Sequence, residues 1–258
     1  MNSFTSDGLA LAYDDIVPAG AARDTVVLIH GFATNAEENW RRLGWYGAFE
    51  RRGARVVAID LRGHGRSDKP QDPRSYSVEA MAGDIVAMMD HLDIGRADVM
   101  GYSLGARLAA RVATTQPDRV ANLILGGVGS RWLHPRPVEP GAMTMAQAMR
   151  SSDSTAINDP MLRGFCQFAD NQGEDALALA ACSEGLAASA TPLDLDAIRA
   201  PTLIVAGGRD EIAGAPDDLA LAIGIAKAVT IAGCDHFGAI PHALFKAAVF
   251  DFLDGWED

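Results

Sequence analysis

Five residues, Gly101-Tyr102-Ser103-Leu104-Gly105, constrain this chain more than any others. An apolar run at 97–100 leads into them, and an Ala-rich helical pattern follows at once. Strand, sharp turn and helix is the context a Gly-x-Ser-x-Gly nucleophile elbow requires. The turn predicts a strained backbone at Ser103. Small residues at 101 and 105 let strand and helix pass close together. The expected result is a serine hydroxyl presented at the end of a sheet. It sits beside a helix N-terminus whose free N–H groups and dipole favour developing negative charge. A Gly-rich turn with a solvent-facing serine is the plainer reading of the pentapeptide, and the flanking strand and helix weigh against it.

The rest of the chain alternates short apolar runs with helical patterns. That rhythm predicts an α/β fold, a mostly parallel sheet wrapped by helices. An antiparallel opening hairpin is expected around Asp7-Gly8, with a strand at 9–13. Val26 to His30 reads as a fully buried strand, followed by a loop and helix over about 34–52. Further strands are expected at 55–60, 97–100, 123–126, 202–206 and 229–232. Helices are expected at 76–92, from the elbow to about Gln116, and from Pro241 through Leu253. Between 130 and 191 no strand is credible. That stretch holds Pro135, Pro137, Pro140 and Pro160, with Pro192 at its edge, and helical sequence at 143–149 and 176–186. The reading is one α/β core, 1–129 and 192–258, interrupted by a helical insertion at 130–191.

Composition narrows the function classes. A net charge of −12 makes nucleic acid and anionic membrane surfaces poor partners. No run approaches the roughly 18 apolar residues of a membrane span. The first residues lack a basic and then apolar leader, so a cytoplasmic location is expected. Cys166, Cys182 and Cys234 are sparse and odd in number, which fits a reducing compartment and small buried side chains. No His-Glu-x-x-His or Cys-x-x-Cys spacing exists, so no metal is expected. Gly126-Gly127-Val128-Gly129 lacks the third glycine of a dinucleotide fingerprint and reads as a close-packed strand end. No cofactor is expected. Monomer and homodimer are equally open.

A serine hydroxyl is a weak nucleophile and needs a base within reach. Of six histidines, His236 follows the last strand, and a loop there lies on the elbow's edge of the sheet. His30 ends a buried strand and reads as support for its loop. His64 sits in a Gly-rich turn, His134 in the insertion, and His91 and His242 in or beside helices. The base needs a carboxylate to orient it. Asp210 follows the strand at 202–206 and meets that need. Glu211 should point elsewhere, and Asp235 is too close to its neighbour to sit behind it. The order Ser103, Asp210, His236 matches that associated with this elbow. A tetrahedral intermediate needs N–H donors. Those of Leu104 and Phe32, after the elbow and after the strand ending at His30, are the candidates.

These features together resemble the α/β-hydrolase family over nearly the whole chain. The matching residues are His30-Gly31-Phe32, Asp60-Leu61-Arg62-Gly63-His64-Gly65-Arg66-Ser67, the elbow, Gly207 to Asp210, and Asp235-His236. The resemblance implies an α/β-hydrolase fold: an eight-stranded sheet, helices on both faces and a helical cap inserted after the sixth strand, similar to 130–191. It implies catalytic roles for Ser103, Asp210 and His236, oxyanion donation by Phe32 and Leu104, and a structural role for the 60–67 turn. Family members that use aspartate at the elbow, the dehalogenases and epoxide hydrolases, lack their nucleophile here. Ala106 stands where many relatives have glycine.

The expectation is a serine hydrolase acting on a small hydrophobic carboxylic ester. Trp132, Phe165 and Phe237 are candidate substrate contacts, although cap packing is the plainer use of apolar residues such as Met143, Met145, Met149 and Met161. Arg131 and Arg136 are candidates to meet an anionic group, or simply exposed charges. The same triad also serves C–C bond hydrolysis, lactone opening and perhydrolysis. A slow-turnover ligand receptor, or His–Asp chemistry that bypasses the serine, are the other readings.

Overall fold

Asn2–Ser6 (β1) and Leu9–Ile16 (β2) form the opening hairpin. They are joined by Asp7 and Gly8, at φ 51 and 78, the positive values a tight hairpin turn demands. The chain is seen here in a computed structural model that describes residues 2–136, 139–151, 153–189 and 192–255. Pro137 and Thr191 of the insertion lie outside the described residues.

Six more strands follow: Thr25–Ile29 (β3), Arg55–Ile59 (β4), Ala97–Tyr102 (β5), Val120–Gly126 (β6), Thr202–Gly207 (β7) and Ala226–Ile231 (β8). The sheet order is β1-β2-β4-β3-β5-β6-β7-β8, antiparallel at β1–β2–β4 and parallel from there on. The chain builds β4 on one side of β3 and then crosses to build β5 on the other. Connections leave β3 and β5 in opposite directions, which opens a crevice beyond their carboxyl ends.

The helices are Trp45–Arg51 (α1), Val78–His91 (α2), Leu104–Thr115 (α3), Ser130–Leu133 (α4), Met145–Met149 (α5), Pro160–Gln172 (α6), Ala176–Ala188 (α7), Pro216–Ile223 (α8) and Ala243–Leu253 (α9). Alternating residues of β3 serve opposite layers, as a central parallel strand requires. Val27 and Ile29 pack with Met81 and Ile85 of α2, Leu108 of α3 and Leu219 of α8. Val26 and Leu28 pack with Trp45 and Phe49 of α1 and Phe245 of α9. Burying each such side chain stabilises the fold by about 1.5–3 kcal/mol.

A third apolar cluster, with Met149, Leu162, Phe165, Ala169 and Leu179, lies in the helices between β6 and β7. Their starts are written in the sequence. Asp159 and Asp175 cap α6 and α7 by accepting from the amides two and three residues on. Thr144 and Gln147 form a capping box on α5. This segment is tied to the core by Thr34 Oγ1 donating to Gln172 (2.7 Å), and by Asn35 Nδ2 and the Gly65 amide donating to Glu174 (2.8 and 2.9 Å).

Several boundaries differ from expectation: β2 runs on to Ile16, past 13, and β6 begins at Val120, ahead of 123. The loop and helix expected over about 34–52 hold a turn of π-helix at Glu37–Arg41 and α1, with Gly44 at φ 76 between them. The last helix starts at Ala243 rather than Pro241, because His242 caps it: its Nδ1 accepts from the Leu244 amide at 3.2 Å. β8 begins at Ala226 rather than Val229; as an edge strand it is only half-buried, so its apolar signal is weak. No helix among the described residues is long and apolar enough to cross a membrane.

Candidate active site at the carboxyl edge of the sheet

Ser103 stands alone between β5 and α3, at φ 54 and ψ −112. That backbone region is costly for any residue with a Cβ. Close approach imposes it. A Cβ on Gly101 would lie 2.1 Å from the Gly105 carbonyl oxygen, and one on Gly105 would lie 2.0 Å from that of Ile29. The Ser103 amide donates to the Gly126 carbonyl at 2.8 Å, which fixes the turn to β6. Gly126 is itself packed tight, as expected of this strand end: a Cβ there would lie 2.7 Å from the Tyr102 ring.

Asp210 and His236 sit in the loops after β7 and β8, on the same edge. His236 Nε2 lies 2.9 Å from Ser103 Oγ, and Nδ1 lies 2.8 Å from Asp210 Oδ2. The other carboxylate oxygen, Oδ1, accepts from the Ile212 and Ala213 amides at 3.0 and 2.9 Å. The carboxylate is therefore held from both sides. It can only accept, so Nδ1 carries the ring proton and Nε2 is free to take one from the hydroxyl. Glu211 turns outward to Arg136 (3.2 Å), and Asp235 Oδ1 accepts from the Phe237 and Gly238 amides.

The loop after β3 lies against the elbow. A Cβ on Gly31 would sit 3.5 Å from Ser103 Cβ. His30 holds that loop by donating from Nδ1 to the Gly31 carbonyl (2.7 Å) and accepting at Nε2 from the Leu61 amide (2.9 Å). This is the supporting role expected of it. Burial keeps His30 neutral, with its pKa below the ordinary value. Among the hydrogen bonds of the described residues, neither the Phe32 nor the Leu104 amide has a protein acceptor. The 60–67 turn is structural: Asp60 accepts from the Ala36 and Arg66 amides, and Arg62 pairs with Asp84 at 2.7 Å.

Two cavities meet at Ser103. The larger, about 580 Å³, is lined by Phe32, Leu104, Arg107, Val128, Trp132 and Met145 among others. The smaller, about 200 Å³, holds His236, Phe165, Phe168 and Phe237. Phe32, like Ser103, borders both. Met143 and Met161 are exposed and line neither. Cys166 and Cys182 are buried and Cys234 half-buried, all as free thiols. Among the described residues no group of three or more His, Cys, Asp or Glu is placed to hold a metal ion.

Two neighbours of Ser103 and His236 carry no sequence signal. Tyr102 occupies a variable position of the elbow, yet its hydroxyl donates to the His236 carbonyl at 2.5 Å. Arg107 is one of many arginines along the chain, and only the fold turns it into the larger cavity.

A family model described as alpha/beta hydrolase fold matches residues 24–155. The chain belongs to the α/β-hydrolase fold family. Within that family it is similar to a non-heme chloroperoxidase of Streptomyces lividans, 37% identical over 47% of this chain and 42% of that protein. It is also similar to a 2-hydroxy-6-oxononadienedioate/2-hydroxy-6-oxononatrienedioate hydrolase of Cupriavidus pinatubonensis, 29% identical over 91% of this chain and 88% of that one. Alignments to the first curated relatives span less than half of their length, 43% and 27% in two cases. In fold, the chain resembles the enol-lactonase of Burkholderia xenovorans LB400, with a TM-score of 0.77, 24% identity and coverage of 98% of this chain and 100% of that one.

Proposed function

We propose that this α/β-hydrolase is a serine hydrolase that cleaves a small hydrophobic carboxylic ester through an acyl-enzyme. The relay of 2.9 and 2.8 Å from Ser103 through His236 to Asp210 carries the reading. Nε2 of His236 takes the hydroxyl proton as Ser103 Oγ attacks the ester carbonyl. The Phe32 and Leu104 amides donate to the oxyanion, and one such donor is worth roughly 2.7–4 kcal/mol of barrier. His236 then gives its proton to the departing alcohol oxygen. Water enters, loses a proton to the same nitrogen, and attacks the acyl carbon. Collapse returns the proton to Ser103 Oγ and releases the acid.

In this reading 130–191 is a cap that shapes the two cavities, one for each side of the scissile bond. Trp132 forms part of the wall of the larger, Phe165 and Phe237 of the smaller. Lactone opening or C–C cleavage on the same triad is the second reading. The match to the Cupriavidus hydrolase, over 91% of this chain and 88% of that one, favours a substrate other than a simple ester.

Labelling with a fluorophosphonate and mapping the modified peptide tests the nucleophile. Ser103→Ala should lose labelling and ester hydrolysis, to below a few per cent, while the melting temperature stays nearly unchanged. Substantial turnover by that variant would rule the proposal out.

A further inference from the structure

The larger cavity carries charge of one sign only. Among the described residues that line it, Arg107 and Arg131 are charged and none is acidic. Arg107 lies on α3 one turn past the nucleophile, with its amide donating to the Ser103 carbonyl at 3.2 Å. Helix geometry puts it roughly 6 Å along the axis from the serine.

Most arginines elsewhere on this chain hold a carboxylate of their own. Arg62 pairs with Asp84 (2.7 Å), Arg66 with Asp60 (2.6 Å), Arg55 with Asp15 (2.9 Å) and Arg136 with Glu211 (3.2 Å). Among the described residues Arg107 and Arg131 have no such partner. Arg107 and Arg131 are both exposed residues, and partial desolvation alone draws the Arg107 guanidinium pKa below its ordinary value, with no neighbouring anion to oppose it.

The chain as a whole carries −12, a balance that repels anions. Two unpaired cations bordering the cavity that reaches the nucleophile reverse that sign locally. A guanidinium fork matches a planar carboxylate in geometry as well as charge. Most of the remaining lining is apolar, Val128, Trp132, Met145 and Ile212 among it, and suits a short hydrocarbon linker.

We propose that this cavity binds a free carboxylate on the substrate, so that the favoured substrates are half-esters of dicarboxylic acids, with the ester carbonyl at Ser103 and the carboxylate on Arg107 and Arg131. The proposal rests on the reading of Ser103 as nucleophile.

Monomethyl adipate and methyl hexanoate share one chain length, differ at the far end in carboxylate against methyl, and form the test pair. The wild-type protein should favour the anion in kcat/KM. Arg107→Gln should lower the anion-to-neutral ratio about tenfold to a hundredfold, mainly through KM, and Arg107→Lys should restore part of it. Arg96→Gln removes the same charge before β5, at the opposite end of the strand, and should leave the ratio where it was. In a Ser103→Ala background, calorimetry with monomethyl adipate should show binding that Arg107→Gln weakens by a similar factor. No anion preference in the wild type, no binding to Ser103→Ala, or equal binding with Arg107→Gln would each overturn the proposal. If neither ester turns over while binding behaves as expected, the anion site stands and the hydrolytic reading fails.

Discussion

Tyr102 shows how much of this site depends on a side chain that no motif names. Its hydroxyl bonds the His236 carbonyl, and its ring lies 5.5 Å from the imidazole centroid. It positions the His236 loop. Tyr102→Phe keeps the ring but leaves a buried carbonyl without that donor, at a cost of about 1–3 kcal/mol. It should lower kcat about tenfold with little change in KM, and slow fluorophosphonate labelling in parallel. A loss of melting temperature without loss of kcat would show that the bond serves folding alone. Ser103, Asp210 and His236 are legible in the sequence because each follows a strand and so is delivered to one edge of the sheet. Tyr102 and Arg107 are not, because their importance comes from what the fold brings opposite them. Neither the His236 carbonyl nor the cavity is visible from local spacing.

The elbow strand and its helix are held at backbone contact, which makes glycine at 105 a requirement of packing. Gly105→Ala would drive a Cβ to within 2.0 Å of the Ile29 oxygen. Expected destabilisation is at least about 2 kcal/mol, or a fall of roughly 4–8 °C in melting temperature. Gly83 is the contrast. It lies within α2, and a Cβ there would meet nothing within 4 Å, so Gly83→Ala should stabilise by about 0.5–1 kcal/mol through helix propensity. Thermal melts of the two variants should move in opposite directions. At this scale β3 and β7 are legible because they are buried on both faces and read as nearly continuous apolar runs. β8 and α9 begin a few residues away from where the pattern puts them. An edge strand with Lys227 and Thr230 shows little pattern, and a capping histidine carries less signal than the proline beside it.

The molecule as a whole stores an acid limit in two buried histidines. The rings of His30 and His64 lie 5.2 Å apart between the β3 loop and the 60–67 turn. Burial first, then the neighbouring His30, pushes His64 down to about 3 from an ordinary 6.5. The unfolded chain takes up a proton near 6.5 and the folded chain does not until far lower. Stability is therefore retained above that value and lost as pH falls below it, by about 1 kcal/mol per pH unit for each such histidine. His64→Gln removes one of them. Urea melts between pH 7 and 4 should show a shallower decline for the variant, and an equal slope would show that His64 does not stay neutral in the folded state. A last consequence follows from the 133 residues that separate Ser103 from His236. A ribosome adding about 5–20 residues per second delivers Ser103 several seconds before His236. Until the loop after β8 emerges, a nascent chain holds the Ser103 hydroxyl without the imidazole that faces it in the folded protein.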